Sequence, residues 1–260
     1  LQEGKTLNPA EKRNAMIGDM RDFVSEISNH SVFKKIAKPN RRQLYDDWAA
    51  HVVALEVNNG PTDLKAKDLR KMYRYNERFD SAGVKAKKVK KILNYMNKVL
   101  KNRPPEMNIK WGFVDLFLLV SYLIDNYDIK DKHDSIESFF VDFETKRRKV
   151  KDPAELISGE RSHWDRDLYD YISAFQKEGA KKANIQKRHQ VYLNRFLNQN
   201  TELVPKDKKR IFNQNERIII WRRANEQCQS CKKTLPLEEM HADHIISHRQ
   251  GGVTTISNGQ

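Results

Sequence analysis

Apolar residues recur at helical spacing along most of the chain, and this pattern predicts a mainly α-helical fold. The first helix should begin at Asn8, an N-cap residue followed by Pro9 at the first helical position and by Glu11 at the capping-box position. Its apolar stripe continues through Ala15, Met16, Met20, Phe23, Val24 and Ile27. Further helices are predicted at 42–57, 63–79, 84–102, 110–126, 134–148, 160–178 and 181–199.

Strand patterns are almost absent before residue 200, and the apolar stripes there are interpreted as core to which no chemistry is assigned. The composition shifts near Gln199 and Asn200. We therefore expect a multi-helix domain at 1–200, followed by a second part at 201–260 that opens with a basic linker helix.

The charge of the chain points to a polyanionic partner. Its 260 residues include 49 Lys or Arg against 35 Asp or Glu, a net charge of +14. On charge alone, DNA, RNA and an anionic membrane surface all fit. The stretch 181–223 holds twelve Lys or Arg and three acidic residues. A second basic cluster on one predicted helix is interpreted equally well as a solvated face or as a phosphate contact: Lys85, Lys87, Lys88, Lys90 and Lys91.

Other global features concern the cellular compartment. No apolar run reaches eighteen residues, so the sequence predicts no membrane span. The chain starts with Leu1 and shows no signal peptide, which indicates a processed chain or a piece of a longer one. Its two cysteines, Cys228 and Cys231, stand two residues apart, which favours metal binding or redox chemistry over a secreted disulfide framework. We therefore expect a cytoplasmic protein.

The segment 228–260 contains the candidate chemistry. Its CxxC pair presents two thiolates at the spacing of half a tetrahedral zinc site. Residues 240–246 are predicted to form a strand that contains the adjacent Asp243 and His244, a Gly-Gly turn follows, and Asn258 stands where a second strand should end. Singly, these features also fit a redox pair, a structural histidine and a turn residue. Their joint arrangement favours a site with a function.

In order and spacing, CQSC, ADHI, the Gly-Gly turn and SNGQ resemble the HNH endonuclease family, in its branch with cysteine knuckles around a ββα-metal core. The resemblance implies that Asp243 binds a catalytic Mg²⁺ or Mn²⁺ and that His244 is the general base that activates water. It also implies that Asn258 orients the His244 ring through a hydrogen bond, and that Cys228 and Cys231 bind a structural Zn²⁺. The reaction implied is hydrolysis of phosphodiester bonds in DNA.

The family pattern continues with a helix that supplies a third metal-binding residue, and often with a second CxxC, whereas this sequence stops at Gln260. We therefore expect a truncated ββα-metal module with weak activity or none. Basic residues near the module are predicted to contact nucleic acid. They are Lys206, Lys208, Lys209, Arg210, Arg222, Arg223, His248 and Arg249.

The segment from Leu7 to Ala15 carries a second resemblance, to bacterial two-part proteins in which a ParB-like domain precedes a helical region and a C-terminal HNH module. Such proteins are associated with restriction of foreign or modified DNA, and the resemblance implies a ParB-like domain upstream. Whether the protein forms a homo-oligomer stays open.

Two other classes of function also stay open. One is a non-catalytic nucleic-acid-binding module with a zinc knuckle, and the other is a helical scaffold or sensor whose charge serves acidic protein partners.

Overall fold

The computed structural model describes residues 6–206, 211–247 and 250–260, and it confirms a mainly α-helical fold. Within these residues, extended pairing is confined to three isolated antiparallel bridges. The helices are α1 (Pro9–Asn14), α2 (Asp19–Ser28), α3 (Leu44–Val57), α4 (Ala66–Tyr75), α5 (Val84–Val99), α6 (Lys110–Asn126), α7 (His133–Lys149), α8 (Arg166–Gln176), α9 (Lys182–Gln199) and α10 (Gln214–Arg223). Short 3-10 helices occur at Ser31–Lys35, Pro153–Ile157, Arg161–His163, Leu237–Glu239 and Ile256–Asn258.

The described residues form two compact units. The helical unit comprises the residues up to 121 together with 133–189, and the C-terminal unit comprises 122–132 together with 190–260. No helix in the described part of the chain has the length and apolar character needed to cross a bilayer.

The core of the helical unit is built around α3, which packs against α1, α2, α4 and α5. Trp48, Val52, Val53 and Leu55 of α3 are almost fully buried although they point to different sides of the helix. A helix that is apolar around its whole circumference belongs in the interior of a domain, because no face of it gains from contact with water.

The predicted first helix is wrong in its length, since the chain breaks between α1 and α2. The start is as expected: the Asn8 side chain accepts a hydrogen bond from Glu11 N, and Glu11 reaches back to Asn8 N. The break lies at Gly18, whose φ of 128° no helix allows, and there Asp19 N donates to Glu77 O at 2.7 Å. A Cβ on Gly18 would lie 2.9 Å from Glu77 O, so this close approach requires glycine.

Other helices begin or end inside their predicted ranges. Helix α3 starts at Leu44 because Arg42 and Gln43 adopt left-handed φ values of 53° and 61°. Helix α8 starts at Arg166, where the Asp165 side chain accepts a hydrogen bond from Leu168 N at 3.0 Å. In both cases a local backbone feature, rather than the apolar pattern, sets the first residue.

One cation of the basic stretch 181–223 is internal to the helical unit. Arg188 is fully buried, and its Nε lies 3.0 Å from Asp115 Oδ2. Tyr171 donates to the same oxygen at 2.6 Å, and Arg188 Nη1 donates to Gly179 O at 2.7 Å. This network joins α6, α8 and α9. Because it encloses the guanidinium, Arg188 is not available to contact nucleic acid.

The lysine cluster on α5 also contacts its own unit. Lys88 lies 3.4 Å from Glu56 and Lys90 lies 2.6 Å from Glu26, while the Lys85 ammonium donates to a carbonyl at the end of α3. Three of the five lysines therefore have partners within the fold, which favours the interpretation as a solvated, ion-paired face.

Candidate functional site

Helix α10 is the central element of the C-terminal unit. Its start is a capping box in which Asn213 Oδ1 accepts from Glu216 N at 2.9 Å and the Glu216 carboxylate accepts from Asn213 N at 2.8 Å. The Tyr127 hydroxyl also donates to Glu216, at 2.9 Å. Ile219 and Ile220 are buried, so the helix is fixed both by its cap and by its apolar face.

Two polar side chains of α10 hold the segments that carry the candidate site. Trp221 Nε1 donates to Leu235 O at 2.6 Å, which fixes the end of the cysteine turn. Arg217 donates to Met240 O, three residues before Asp243. No periodic pattern in the sequence marks these contacts, because each joins a helix to an irregular segment.

The cysteine pair lies in a tight turn closed by the bridge between Gln227 and Thr234. Cys228 N donates to Lys233 O at 2.9 Å, and Lys232, with a left-handed φ of 61°, donates its N–H to Cys228 O at 2.8 Å. The turn presents both cysteines as free thiols, Cys228 half-buried and Cys231 exposed.

Backbone dipoles of this turn stabilise a thiolate at Cys228. The N–H groups of Cys231 and Ser230 point at its sulfur and lower the pKa of the thiol, and Lys232 adds a smaller effect in the same direction. A thiolate is the form that binds zinc. The donor set of the turn therefore fits two ligands of a structural Zn²⁺.

The strand predicted at 240–246 is present only as a short paired segment. Asp243 and Gln260 exchange two backbone hydrogen bonds, of 3.0 and 2.9 Å, and Ile245 N donates to Asn258 O at 2.9 Å. A 3-10 helix at Ile256–Asn258 occupies the place of the expected second strand. Gly259 follows it in close contact with α10, since a Cβ on Gly259 would lie 2.3 Å from Ile220 Cδ1.

The His244 ring is held on two sides. Its Nε2 lies 3.0 Å from Thr254 Oγ1, and its plane lies against the Phe212 ring with a centroid separation of 4.6 Å and a tilt of 30°. Thr254 and Phe212 are buried. Neither residue was predicted, because Thr254 lies beyond the glycine turn and Phe212 precedes α10.

Asp243 lies beside His244 and is exposed, with Oδ1 accepting a hydrogen bond from His244 N at 2.7 Å. A cleft of about 410 Å³ is lined by Asp243 together with Cys228, His241 and Gln260. The cleft brings the cysteine turn and the candidate carboxylate ligand to one place. Among the described residues, no three His, Cys, Asp or Glu side chains are grouped closely enough to hold a metal ion.

Asn258 differs from its expected role. Its Oδ1 accepts from Ile246 N at 2.8 Å, and its Nδ2 donates to Ile246 O at 3.0 Å and to Val253 O at 2.8 Å. These bonds occupy both amide hydrogens, so the expected hydrogen bond to the His244 ring is replaced by a clamp on the loop that follows it. Thr254 takes the place of Asn258 beside the ring.

The predicted nucleic-acid contacts are distributed unevenly. Arg222 and Arg223 are exposed in the last turn of α10. The Lys206 ammonium donates to Ile124 O, so that side chain stabilises the end of α6. The remaining predicted contacts lie outside the described residues: Lys208, Lys209, Arg210, His248 and Arg249.

A family model described as HNH endonuclease matches residues 228–260. No curated protein and no solved structure matches the chain. The matched segment includes the cysteine turn, Asp243, His244 and Asn258. The match supports a nuclease or DNA-binding function for this segment, in a family whose domains commonly bind divalent metal.

Proposed function

We propose that this protein is a metal-dependent endonuclease that hydrolyses phosphodiester bonds in DNA and acts in restriction of foreign or modified DNA. The main support is the fixed His244 ring next to the Asp243 carboxylate, within the segment that matches the HNH model. The role in restriction rests only on the resemblance of the Leu7–Ala15 segment and on the order of a helical region followed by the HNH segment.

His244 is the proposed general base. When Thr254 Oγ1 accepts the hydrogen bond, Nε2 carries the proton and Nδ1 carries the lone pair of the neutral ring. A neutral imidazole can take a proton from water near neutral pH, which generates the hydroxide that attacks the phosphorus. The stacked Phe212 ring limits rotation of the imidazole, so the lone pair keeps one direction.

Asp243 is the proposed ligand of a catalytic Mg²⁺ or Mn²⁺, because its exposed carboxylate offers the hard oxygen that these ions prefer. When bound, such an ion stabilises charge on the phosphate and on the leaving oxygen. Cys228 and Cys231 are the proposed ligands of a structural Zn²⁺.

A plasmid-nicking assay with Mg²⁺ or Mn²⁺ tests the reaction, with the parent and every variant made in a protein that also carries whatever residues follow Gln260 in the full-length protein. We expect His244→Ala to slow cleavage by roughly 10² to 10⁴, the usual contribution of a positioned base, with DNA affinity unchanged. The control is His163→Ala, an exposed histidine of the helical unit, which should cleave like the parent. Parent-like cleavage by His244→Ala with an intact fold contradicts the assignment, and binding without metal-dependent cleavage by the parent favours the non-catalytic module.

The salt dependence of DNA binding tests the substrate. Arg222 and Arg223 should contact phosphates, so replacing both with Ser should reduce the slope of log affinity against log salt by about 1 to 2. Lys146 and Lys149, exposed in the last turn of α7, provide a matched double substitution that should leave the slope unchanged. A salt-independent affinity for duplex DNA contradicts the proposal.

A further inference from the structure

A cleft of about 330 Å³ lies in the helical unit, far along the sequence from the candidate nuclease site. It is formed around the starts of α1, α3, α4 and α6. Its charged and polar lining consists mainly of Arg13, Arg41, Arg42, Asp47, His51 and Lys110. Its volume is in the usual range of sites for small ligands.

Arg13 is the main observation, because its buried guanidinium has unused donors. The side chain is 3 % exposed, and Nη2 donates to Asp47 Oδ1 at 2.6 Å. Its Nε and Nη1 atoms are buried and have no hydrogen-bond partner among the described residues. Buried polar groups are nearly always paired, so an arginine on a cleft wall with two unpaired nitrogens indicates a missing acceptor.

The charge of the lining favours an anion as that acceptor. Four cations line the cleft, and among the described lining residues they face a single carboxylate, Asp47. Arg13 and Lys110 share this carboxylate, with distances of 2.6 and 2.8 Å. Arg42 is held by Glu11 at 2.8 Å, and Arg41 is exposed. The four cations of the lining therefore outnumber the carboxylates that pair with them, which are Asp47 and Glu11.

The protonation states within the cleft preserve this excess. Burial would raise the pKa of Asp47, but His51, Lys110 and Arg13 outweigh it and lower the pKa to about 2. Burial and the nearby Lys110 lower the pKa of His51 to about 4, against the smaller opposing effect of Asp47. At neutral pH, Asp47 is thus an anion already shared by two cations, and His51 is uncharged.

From the unpaired Arg13 nitrogens and the surplus of cations, we infer that this cleft binds a phosphate group. Phosphate has enough oxygens to accept from a guanidinium and from a second cation together. The group can belong to a free phosphate compound or to a nucleic-acid backbone, and the site chemistry is the same for both.

Titration with inorganic phosphate at constant ionic strength tests this inference, with the Arg Nε–H signals in NMR spectra and the melting temperature as readouts. The parent should saturate, the Arg13 Nε–H signal should shift, and the melting temperature should rise. Arg13→Gln and the exposed Arg41→Gln should each weaken phosphate binding about tenfold, the effect of losing one charge-assisted hydrogen bond. Arg70→Gln, an exposed arginine on α4 outside the lining, is the matched control and should bind like the parent.

Duplex DNA as a competitor identifies the source of the phosphate group. Displacement of phosphate by DNA, with weaker DNA binding by Arg41→Gln, assigns a nucleic-acid backbone, whereas retained phosphate assigns a small phosphate compound. The inference is overturned if the parent shows no saturable binding of phosphate, or if Arg41→Gln binds it as the parent does. Arg41→Gln keeps the test decisive even if Arg13→Gln fails to fold.

Discussion

Thr254 Oγ1 lies 3.0 Å from His244 Nε2, across the glycine turn that separates the two residues. Thr254 is 3 % exposed, so bulk water does not compete with its hydroxyl for the hydrogen bond to His244. The hydrogen bond is compatible with the ring tautomer that has its proton on Nε2 and its lone pair on Nδ1. Thr254 is therefore a positioning residue for the proposed base.

Thr254→Val should remove this hydrogen bond while keeping the shape of the side chain. We expect the ring of His244 to populate both tautomers, measured by its ¹³C and ¹⁵N chemical shifts at fixed pH, and cleavage to slow by roughly tenfold or more. Thr254→Ser should restore one tautomer. Thr255→Val is the matched control, since Thr255 is also buried but its hydroxyl lies 3.0 Å from Ser257 Oγ; an effect equal to that of Thr254→Val would contradict a specific role.

Removal of either cysteine should abolish the zinc site. Cys228→Ser and Cys231→Ser should each lower the zinc content of the purified protein, measured by mass spectrometry, and a chelator should lower the melting temperature of the parent but not of the variants. Ser230→Ala should retain zinc, because its contribution to the turn is a backbone N–H. Equal zinc content in all four proteins contradicts the assignment of the turn.

Two adjacent glycines of the site should respond differently to alanine. A Cβ on Gly252 would lie 1.8 Å from Ile246 O and 3.0 Å from Asn258 Nδ2, so Gly252→Ala must displace the loop that Asn258 clamps. A Cβ on Gly251 would meet nothing within 4 Å, and its φ of 88° makes that change cost about 1 kcal/mol through backbone strain alone. We expect Gly252→Ala to abolish cleavage and to speed proteolysis of the loop, and Gly251→Ala to do neither.

The sequence predicts the features that depend on neighbours within a few residues. The start of α1 at Asn8 and the close pairing of Cys228 and Cys231 are of this kind, since caps and turns form from adjacent groups. The break at Gly18 was missed because apolar periodicity does not register a left-handed φ or the carbonyl of Glu77 that the chain approaches there.

Contacts between residues distant in sequence could not be predicted for a different reason. A count of cations treats Arg188 and Arg223 alike, although one is enclosed with Asp115 and the other is exposed. Likewise, the identity of Asn258 indicates a residue with hydrogen bonds to make, but only the folded loop shows that they go to the backbone of Ile246 and Val253.

Arg188 and Lys187 are neighbours in α9, but we expect only Arg188 to contribute strongly to the free energy of unfolding. Arg188→Met leaves Asp115 as a buried charge without its ion partner, and such a loss typically costs about 3–5 kcal/mol of unfolding free energy. Lys187→Met breaks an ion pair with Asp170 whose side chains are 49 % and 42 % exposed, and this should cost at most about 1 kcal/mol. Urea unfolding of both variants measures the difference, and equal losses would contradict the structural role of Arg188.

The stability of the helical unit should fall as the pH drops from 7 to 5. Burial lowers the pKa of both His51 and His189 to about 4, whereas the unfolded chain titrates near 6.5. Well above pH 6.5 both histidines are neutral in the folded and in the unfolded state, so their titration does not reduce the free energy of unfolding. Between pH 6.5 and 4 the unfolded chain binds protons that the folded unit excludes, so the loss should be about 1–2 kcal/mol per histidine by pH 5.

Urea unfolding of the parent at pH 7 and pH 5 measures this loss, and the histidine variants assign it. The Gln amide does not titrate. His51→Gln should therefore reduce the loss of unfolding free energy between pH 7 and pH 5 by the contribution of one histidine, even if it also changes the stability at pH 7. Asp47, with a pKa of about 2, is ionised throughout this window and adds nothing to the slope. His163→Gln removes an exposed histidine and should leave the slope unchanged. A pH-independent stability of the parent would mean that the two buried imidazoles can accept protons in the folded state.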